Sequence, residues 1–197
     1  MQDNEPVTVI FVSGGIGTGK STFSSLCAER GWTVIDADKV VAELYANDGI
    51  MVAEIAQILG SGVRDSFGKV DKEFIASKIF KDATLLKRVE AVIHPRVQKI
   101  LALKSKDVSS LVYEIPVINE QTNLELADYV VVITASAQTR LERLLARGME
   151  ISDAKNRIQT QNKHNFVPKE SFIIANDGSL AQLSSEVDKF LARLAND

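Results

Sequence analysis

Residues 13–22 read SGGIGTGKST, with four glycines in ten positions, then a lysine and two hydroxyls. Glycine loses more backbone freedom on folding than any other residue, so such a cluster marks a place where side chains would be in the way. The preceding run, residues 7–12 (VTVIFV), is apolar and β-branched and reads as a buried strand. Residues 21–30 hold neither Gly nor Pro and read as a helix. The glycines therefore form a strand-to-helix turn, and Gly14 through Ser21 fit G-x-x-x-x-G-K-[ST], a phosphate-binding loop. Backbone N–H groups of such a loop point inward, and the start of the helix adds positive potential. Lys20 is placed to reach the β- and γ-phosphates and Ser21 to ligate magnesium.

The 197 residues allow one domain with room for a small subdomain. A net charge of −3 speaks against nucleic acid as the main partner, since phosphate-backbone binding needs a basic surface. The single cysteine, Cys27, has no internal disulfide partner and reads as a buried apolar residue, which suits a reducing cytoplasm. The N-terminal MQDNEP is acidic and polar and does not read as a secretory signal. No stretch reaches the roughly 20 apolar residues of a membrane span, so no membrane partner is expected.

Further strands are expected at residues 33–35, 111–115, 129–133 and 172–174. Helices are expected at 39–46, 51–59, 72–80, 83–104, 137–147, 152–163 and 181–195, with Pro95 bending or breaking the long one. Residues 60–68 hold three glycines and read as a loop. Strands that alternate with helices imply an α/β fold with a five-stranded parallel sheet and helices on both faces. Residues 39–105 carry helices and no clear strand, as an insertion beside the nucleotide site would. Residues 148–169 are placed as a lid, which leaves a nucleotide core at about 6–38, 106–147 and 170–197.

The loop alone implies a nucleoside triphosphate, and three classes use one: a kinase, a regulatory GTPase and an ATP-driven interaction module. Two GTPase-like motifs fail on context. Asp65-Ser66-Phe67-Gly68 matches D-x-x-G but has no strand leading into it, and Asn162-Lys163-His164-Asn165 lacks the final acid that pairs with guanine. Tyr113-Glu114-Ile115-Pro116 is not the paired-acid strand end of an ATP-driven machine. A kinase needs a carboxylate near the acceptor hydroxyl and positive charge over the phosphoryl group. Asp36 and Asp38 in VIDAD, at the carboxyl end of the second strand, meet the first need, and they share one side if the backbone stays extended there. Asp38 fits equally well as the cap of the following helix. Arg140, Arg143 and Arg147, spaced i, i+3, i+7, form one stripe opposite Leu141, Leu144 and Leu145. The stripe suits either a triphosphate or a solvated face with ion pairs such as Arg143 to Glu142 or Glu150. His94-Pro95 interrupts a helix, and His94 reads either as an acceptor-side contact or as a structural histidine.

Taken in order, SGGIGTGKST, VIDAD at 34–38, Gly68-Lys69-Val70-Asp71, His94-Pro95, EIPVINE at 114–120, Arg140-Leu141-Glu142-Arg143-Leu144, Arg157-Ile158-Gln159-Thr160-Gln161 and Asn176-Asp177-Gly178-Ser179 resemble the dephospho-CoA kinase family. The resemblance spans residue 7 to about 190 and departs from the family pattern at Lys72, Glu114, Val117, Ile118 and Asn119. It implies a P-loop kinase-like core, a helical CoA-binding part and a lid. It implies transfer of the ATP γ-phosphoryl group to the ribose 3′-hydroxyl of dephospho-CoA, the last step of CoA synthesis, with Mg2+ as cofactor. Carried over, Gly15, Ile16, Gly17, Thr18, Gly19, Lys20, Ser21 and Thr22 bind the ATP phosphates, Arg143 and Arg147 match positions that contact ATP or close the lid, and Asn176 to Ser179 lie where the adenine pocket of ATP is expected. Asp38 matches the family's proposed catalytic base, with Asp36 as its partner and the reserve choice, Lys20 and Arg143 are the other catalytic residues, and Ser21 is the metal ligand. Asp36, Asp38, His94 and Pro95 belong to the dephospho-CoA side. The partners implied are the two small-molecule substrates, for a cytoplasmic chain acting as a monomer or weak homo-oligomer. A second reading, another small-molecule kinase such as a nucleoside or nucleoside-monophosphate kinase, shares the loop and the lid.

Overall fold

The apolar run after residue 7 becomes the middle strand of the sheet because it can be buried on both faces, as parallel strands require. In the computed structural model, which describes residues 7–116, 118, 122, 124–163 and 167–195, β1 spans Thr8–Ser13. It is joined by β2 (Thr33–Asp36), β3 (Ser110–Glu114), β4 (Tyr129–Thr134) and β5 (Ser171–Ala175). The order is β2-β3-β1-β4-β5, and every pairing is parallel. The MQDNEP segment, Val117, Asn119 and Glu120, and the His164 and Asn165 that end the Asn162–Asn165 motif, lie outside the described residues.

Alternate residues of the strands build the main core. Ile10 and Val12 of β1, Val112, Val131, Ile133 and Ile174 pack on Phe23, Leu26 and Cys27 of α1 (Lys20–Ala28) and on Leu183, Val187 and Phe190 of α8 (Leu180–Leu194). The intervening Phe11 and Tyr113 point to the opposite face and meet edge to face at 5.2 Å. Burial pushes the Cys27 thiol up to about 12, which fits its reading as a small apolar residue. Two further helices, α6 (Ala137–Ala146) and α7 (Ile151–Lys163), complete this unit. Among the described residues no helix is long and apolar enough to cross a membrane.

Ala37–Asp107 forms a second compact unit. It holds α2 (Ala37–Asn47), α3 (Gly49–Leu59), α4 (Lys72–Ile79) and α5 (Ala83–Lys104). Aspartates start three of these helices. Asp48 accepts from Met51 N–H at 2.8 Å, Asp71 from Phe74 N–H at 2.8 Å, and Asp82 from Thr84 and Leu85 N–H. Arg96 donates to both Asp48 and Glu54 at 3.0 Å, which fixes α5 to the start of α3.

Three expectations change. The 60–68 loop contains a 3-10 turn at Ser61–Val63, followed by an antiparallel bridge between Arg64 and Val70. The D-x-x-G motif lies in the turn of that hairpin, where Asp65 Oδ1 accepts from Phe67 and Lys69 N–H, so the motif is turn chemistry. Pro95 does not break α5, which leaves only the bend of the two alternatives, and the Arg96 guanidinium donates to the Val92 carbonyl at 2.7 Å near the missing backbone bond. Asp36 and Asp38 do not share an extended run, because α2 begins at Ala37 directly after the strand. Asp38 accordingly sits inside the first helical turn rather than capping it.

Candidate active site

All five strands end at the edge where open α/β sheets bind ligands. The phosphate loop leaves β1 there and turns into α1 at Gly19, whose φ of 100° is left-handed. No side chain caps α1, so the first-turn N–H groups present positive potential to the loop. Gly14 and Gly17 also take positive φ. The loop glycines are required on their protein side as well. A Cβ at Gly14 would strike the Ile133 carbonyl, one at Gly15 the Arg140 guanidinium, and one at Gly19 the Asn176 amide. Lys20 Nζ reaches back across the loop to the Gly14 carbonyl at 2.6 Å.

Ser21 donates its hydroxyl to Glu114 Oε1 at 2.9 Å. Glu114 closes β3 and pairs in register with Asp36, the last residue of β2. Ser21, Glu114 and Asp36 all carry oxygen donors, the ligand type that suits magnesium, so these residues fit the ion that a phosphate loop would hold. Glu114 was legible in the sequence as an acid ending a strand at the ligand edge, but its link to Ser21 spans 93 positions and leaves no spacing signal.

The arginine stripe separates into three environments. Arg140 is 6% exposed and lies on the packed side of α6 with Leu144, whereas Leu145 faces outward, so the one-face reading is corrected. Arg140 Nε donates to the Ile16 carbonyl at 2.8 Å, and burial lowers its pKa from the ordinary guanidinium value. Arg143 Nη1 donates to the Gly17 and Thr18 carbonyls at 3.3 Å, which sets it on the phosphate loop rather than on a glutamate-paired solvent face, the other reading of the stripe. Arg147 is exposed. The reason is packing: α7 lies against α6 through Ala154 and Ile158, and it takes up the side of α6 that bears Leu144.

Asn176-Asp177-Gly178-Ser179 forms a joint at the end of β5. Asn176 Nδ2 donates to the Thr18 carbonyl at 2.8 Å. Asp177 accepts from Ser136 N–H at 2.8 Å and from the Thr139 hydroxyl at 2.7 Å, and Ser179 starts α8 with a reciprocal capping box to Gln182. A cavity of about 380 Å³ opens beside this joint, lined by Gly19, Thr22, Arg143, Arg147, Asn176 and Gly178, with Leu180 and Leu183 as apolar wall. His94 and Pro95 are exposed on α5 in the helical unit, and Asp38 is exposed on α2.

The hydrogen bonds from Ser136 and Thr139 hold the Asp177 carboxyl below the usual carboxylate range. A lowered folded-state pKa adds stability above the unfolded value near pH ~4, and that stability is lost as pH falls through the folded value. The stability difference between the wild type and Asp177→Asn, from urea unfolding, is therefore expected to be full at pH 7 and to shrink below about pH 4. A difference independent of pH would show that the carboxylate charge has no part in the joint.

The model of the CoaE family, described as dephospho-CoA kinase, matches residues 8–182. The chain belongs to the dephospho-CoA kinase family. It is 32% identical to a dephospho-CoA kinase of Albidiferax ferrireducens over 90% of this chain and 88% of that one. It is 31% identical to a dephospho-CoA kinase of Chlorobaculum tepidum over 92% of each chain. Among solved structures, TT1252 from Thermus thermophilus superposes with a TM-score of 0.78 at 26% identity, covering 96% of this chain and 99% of that one. As a member of the dephospho-CoA kinase family the chain is an ATP-dependent kinase, and the reading as a nucleoside or nucleoside-monophosphate kinase is not favoured.

Proposed function

We propose that the protein transfers the γ-phosphoryl group of ATP to the ribose 3′-hydroxyl of dephospho-CoA, giving CoA and ADP, with the residue roles that follow. The observation that carries the assignment of the phosphate site is the uncapped N-terminal turn of α1 beside a cavity bearing Arg143 and Arg147, in a chain of this family. The loop amides and Lys20 hold the triphosphate. The cavity beside Asn176 takes the adenine ring, with Leu180 and Leu183 as its apolar side. Arg143 braces the loop from the Gly17 and Thr18 carbonyls and contributes positive charge. Asp38 orients the acceptor hydroxyl and takes its proton, while His94 and Pro95 belong to the acceptor side.

Magnesium, when bound, neutralises charge on the phosphate oxygens. Ser21 would be its protein ligand, and Glu114 and Asp36 would hold it through water, since magnesium keeps several waters. Glu114→Gln retains an acceptor for Ser21 but removes a charge. It is expected to raise the magnesium concentration for half-maximal activity by about tenfold, as loss of outer-shell partners does. An unchanged magnesium titration would remove Glu114 from the metal site.

The reaction is tested by coupled ADP release with ATP and magnesium, comparing dephospho-CoA, AMP, dCMP and no acceptor, with the product identified by mass. Release that depends on dephospho-CoA and yields CoA is expected. Release with AMP or dCMP instead would move the acceptor assignment to a nucleotide, and acceptor-independent release would make the chain an ATPase.

A further inference from the structure

Ile16, the third residue of the phosphate loop, is held from two directions by elements far along the chain. Its side chain packs on a small apolar cluster of Leu144 from α6 and Ala154 and Ile158 from α7, joined by Leu141 and Met149. Its N–H donates to the side chain of Gln161, near the end of α7, at 2.6 Å. The same Gln161 Oε1 accepts from Arg140 Nη2 at 3.1 Å, and Arg140 Nε donates to the Ile16 carbonyl at 2.8 Å. Both polar groups of residue 16 are thus engaged by a closed set of three residues, and Arg140 within it is buried.

We infer that Gln161 is a positioning residue for phosphoryl transfer, acting as a latch through which α7 fixes the Ile16 peptide and hence the shape of the phosphate loop. The N–H and the carbonyl of residue 16 belong to two successive peptide units, and the outer dihedral of each, at Gly15 and at Gly17, is unrestricted by a side chain. Holding both groups fixes the orientation of both units. The amides that follow, from Gly17 into the first turn of α1, inherit their direction from them. A loop ordered before ATP arrives does not spend binding energy on its own ordering. A displacement of the loop by about an ångström would cost far more in rate than the lost hydrogen bond costs in stability. The glutamine is suited to the task because one oxygen accepts both donors while the residue stays uncharged next to a site for anions.

The latch rests on the assigned reaction, so the test reads nucleotide binding and turnover separately. Three variants are compared with the wild type: Gln161→Leu, which removes the acceptor; Gln161→Glu, which keeps it and has its charge offset by Arg140; and Gln161→Asn, which shortens it. For Gln161→Leu, ATP and ADP affinity by calorimetry is expected to fall about tenfold, and kcat/KM for ATP about 10- to 100-fold, with KM for dephospho-CoA unchanged. Gln161→Glu is expected to recover most of the loss, and Gln161→Asn to resemble Gln161→Leu. Should Gln161→Leu fail to fold, Gln161→Asn against Gln161→Glu decides the matter. Equal losses in the Glu and Asn variants that follow thermal stability, or wild-type nucleotide affinity in the Leu variant, would overturn the latch. If the wild type itself forms no CoA, the reaction assignment fails, while the calorimetry still tests the latch.

Discussion

Lys20→Met is expected to lower kcat for CoA formation on the order of 10²–10³-fold, the effect of removing one donor aimed at developing charge. The lysine is the cation that the loop itself carries toward the phosphates, and methionine keeps its length without the charge. In the structure the ammonium rests on the Gly14 carbonyl at 2.6 Å, spanning the loop from its end to its start. To hold a triphosphate the ammonium would exchange this carbonyl for phosphate oxygens, a short movement at the end of a flexible stem. Single-turnover rates at saturating ATP check this directly. A variant rate within a few-fold of wild type would mean that the arginines, not Lys20, carry the stabilisation.

Asp38→Asn is expected to lower kcat about 10²–10⁴-fold, the range of general-base contributions, with ATP affinity unchanged. Asparagine fills the same volume and still accepts a hydrogen bond, so the substitution isolates the charge and the proton. In a largely dissociative transfer the attacking oxygen needs alignment more than strong deprotonation, which places the result toward the lower end of that range. Asp36→Asn is the informative comparison. Its place in register with Glu114 puts it beside the proposed metal ligands, so the magnesium titration should move more than kcat at saturating metal. Equal turnover in Asp38→Asn and wild type would end the assignment of the base, and a loss confined to Asp36→Asn would transfer the role to that residue.

The sheet and the loop were legible because both are local. Five apolar runs, each bounded by turn residues, are enough to mark the strands, and observed boundaries such as Ser110–Glu114 differ by a residue or so. G-x-x-x-x-G-K-S needs only eight consecutive positions. What escaped depended on partners distant in sequence. Helical spacing puts Arg140, Arg143 and Arg147 together, yet spacing does not say which side of α6 another helix will cover. The polar composition of α7 conceals that Ala154 and Ile158 make it a packing partner. Glu114 looks like a departure from a family pattern until Ser21 is seen beside it. The late Asn-Asp-Gly-Ser motif points to the nucleotide pocket. Its first two side chains bind protein: Asn176 the loop, Asp177 the start of α6. A common face for Asp36 and Asp38 needs an extended backbone, and the strand ends one residue too early.

The centre of the sheet must wait for its neighbours while the chain is made. β1 lies between β3 and β4, and β2, the strand that follows it in the chain, is not its neighbour. At a synthesis rate of about 5–20 residues per second, the central strand waits roughly 5–20 seconds for its first partner. Through that interval β1 has no strand beside it, and Ile10 and Val12 have only α1 with Trp32 and Val34 for cover. The glycine loop comes early in the sequence, yet both strands that flank β1 come only after the helical unit at 37–107, so the platform under the phosphate site is completed late.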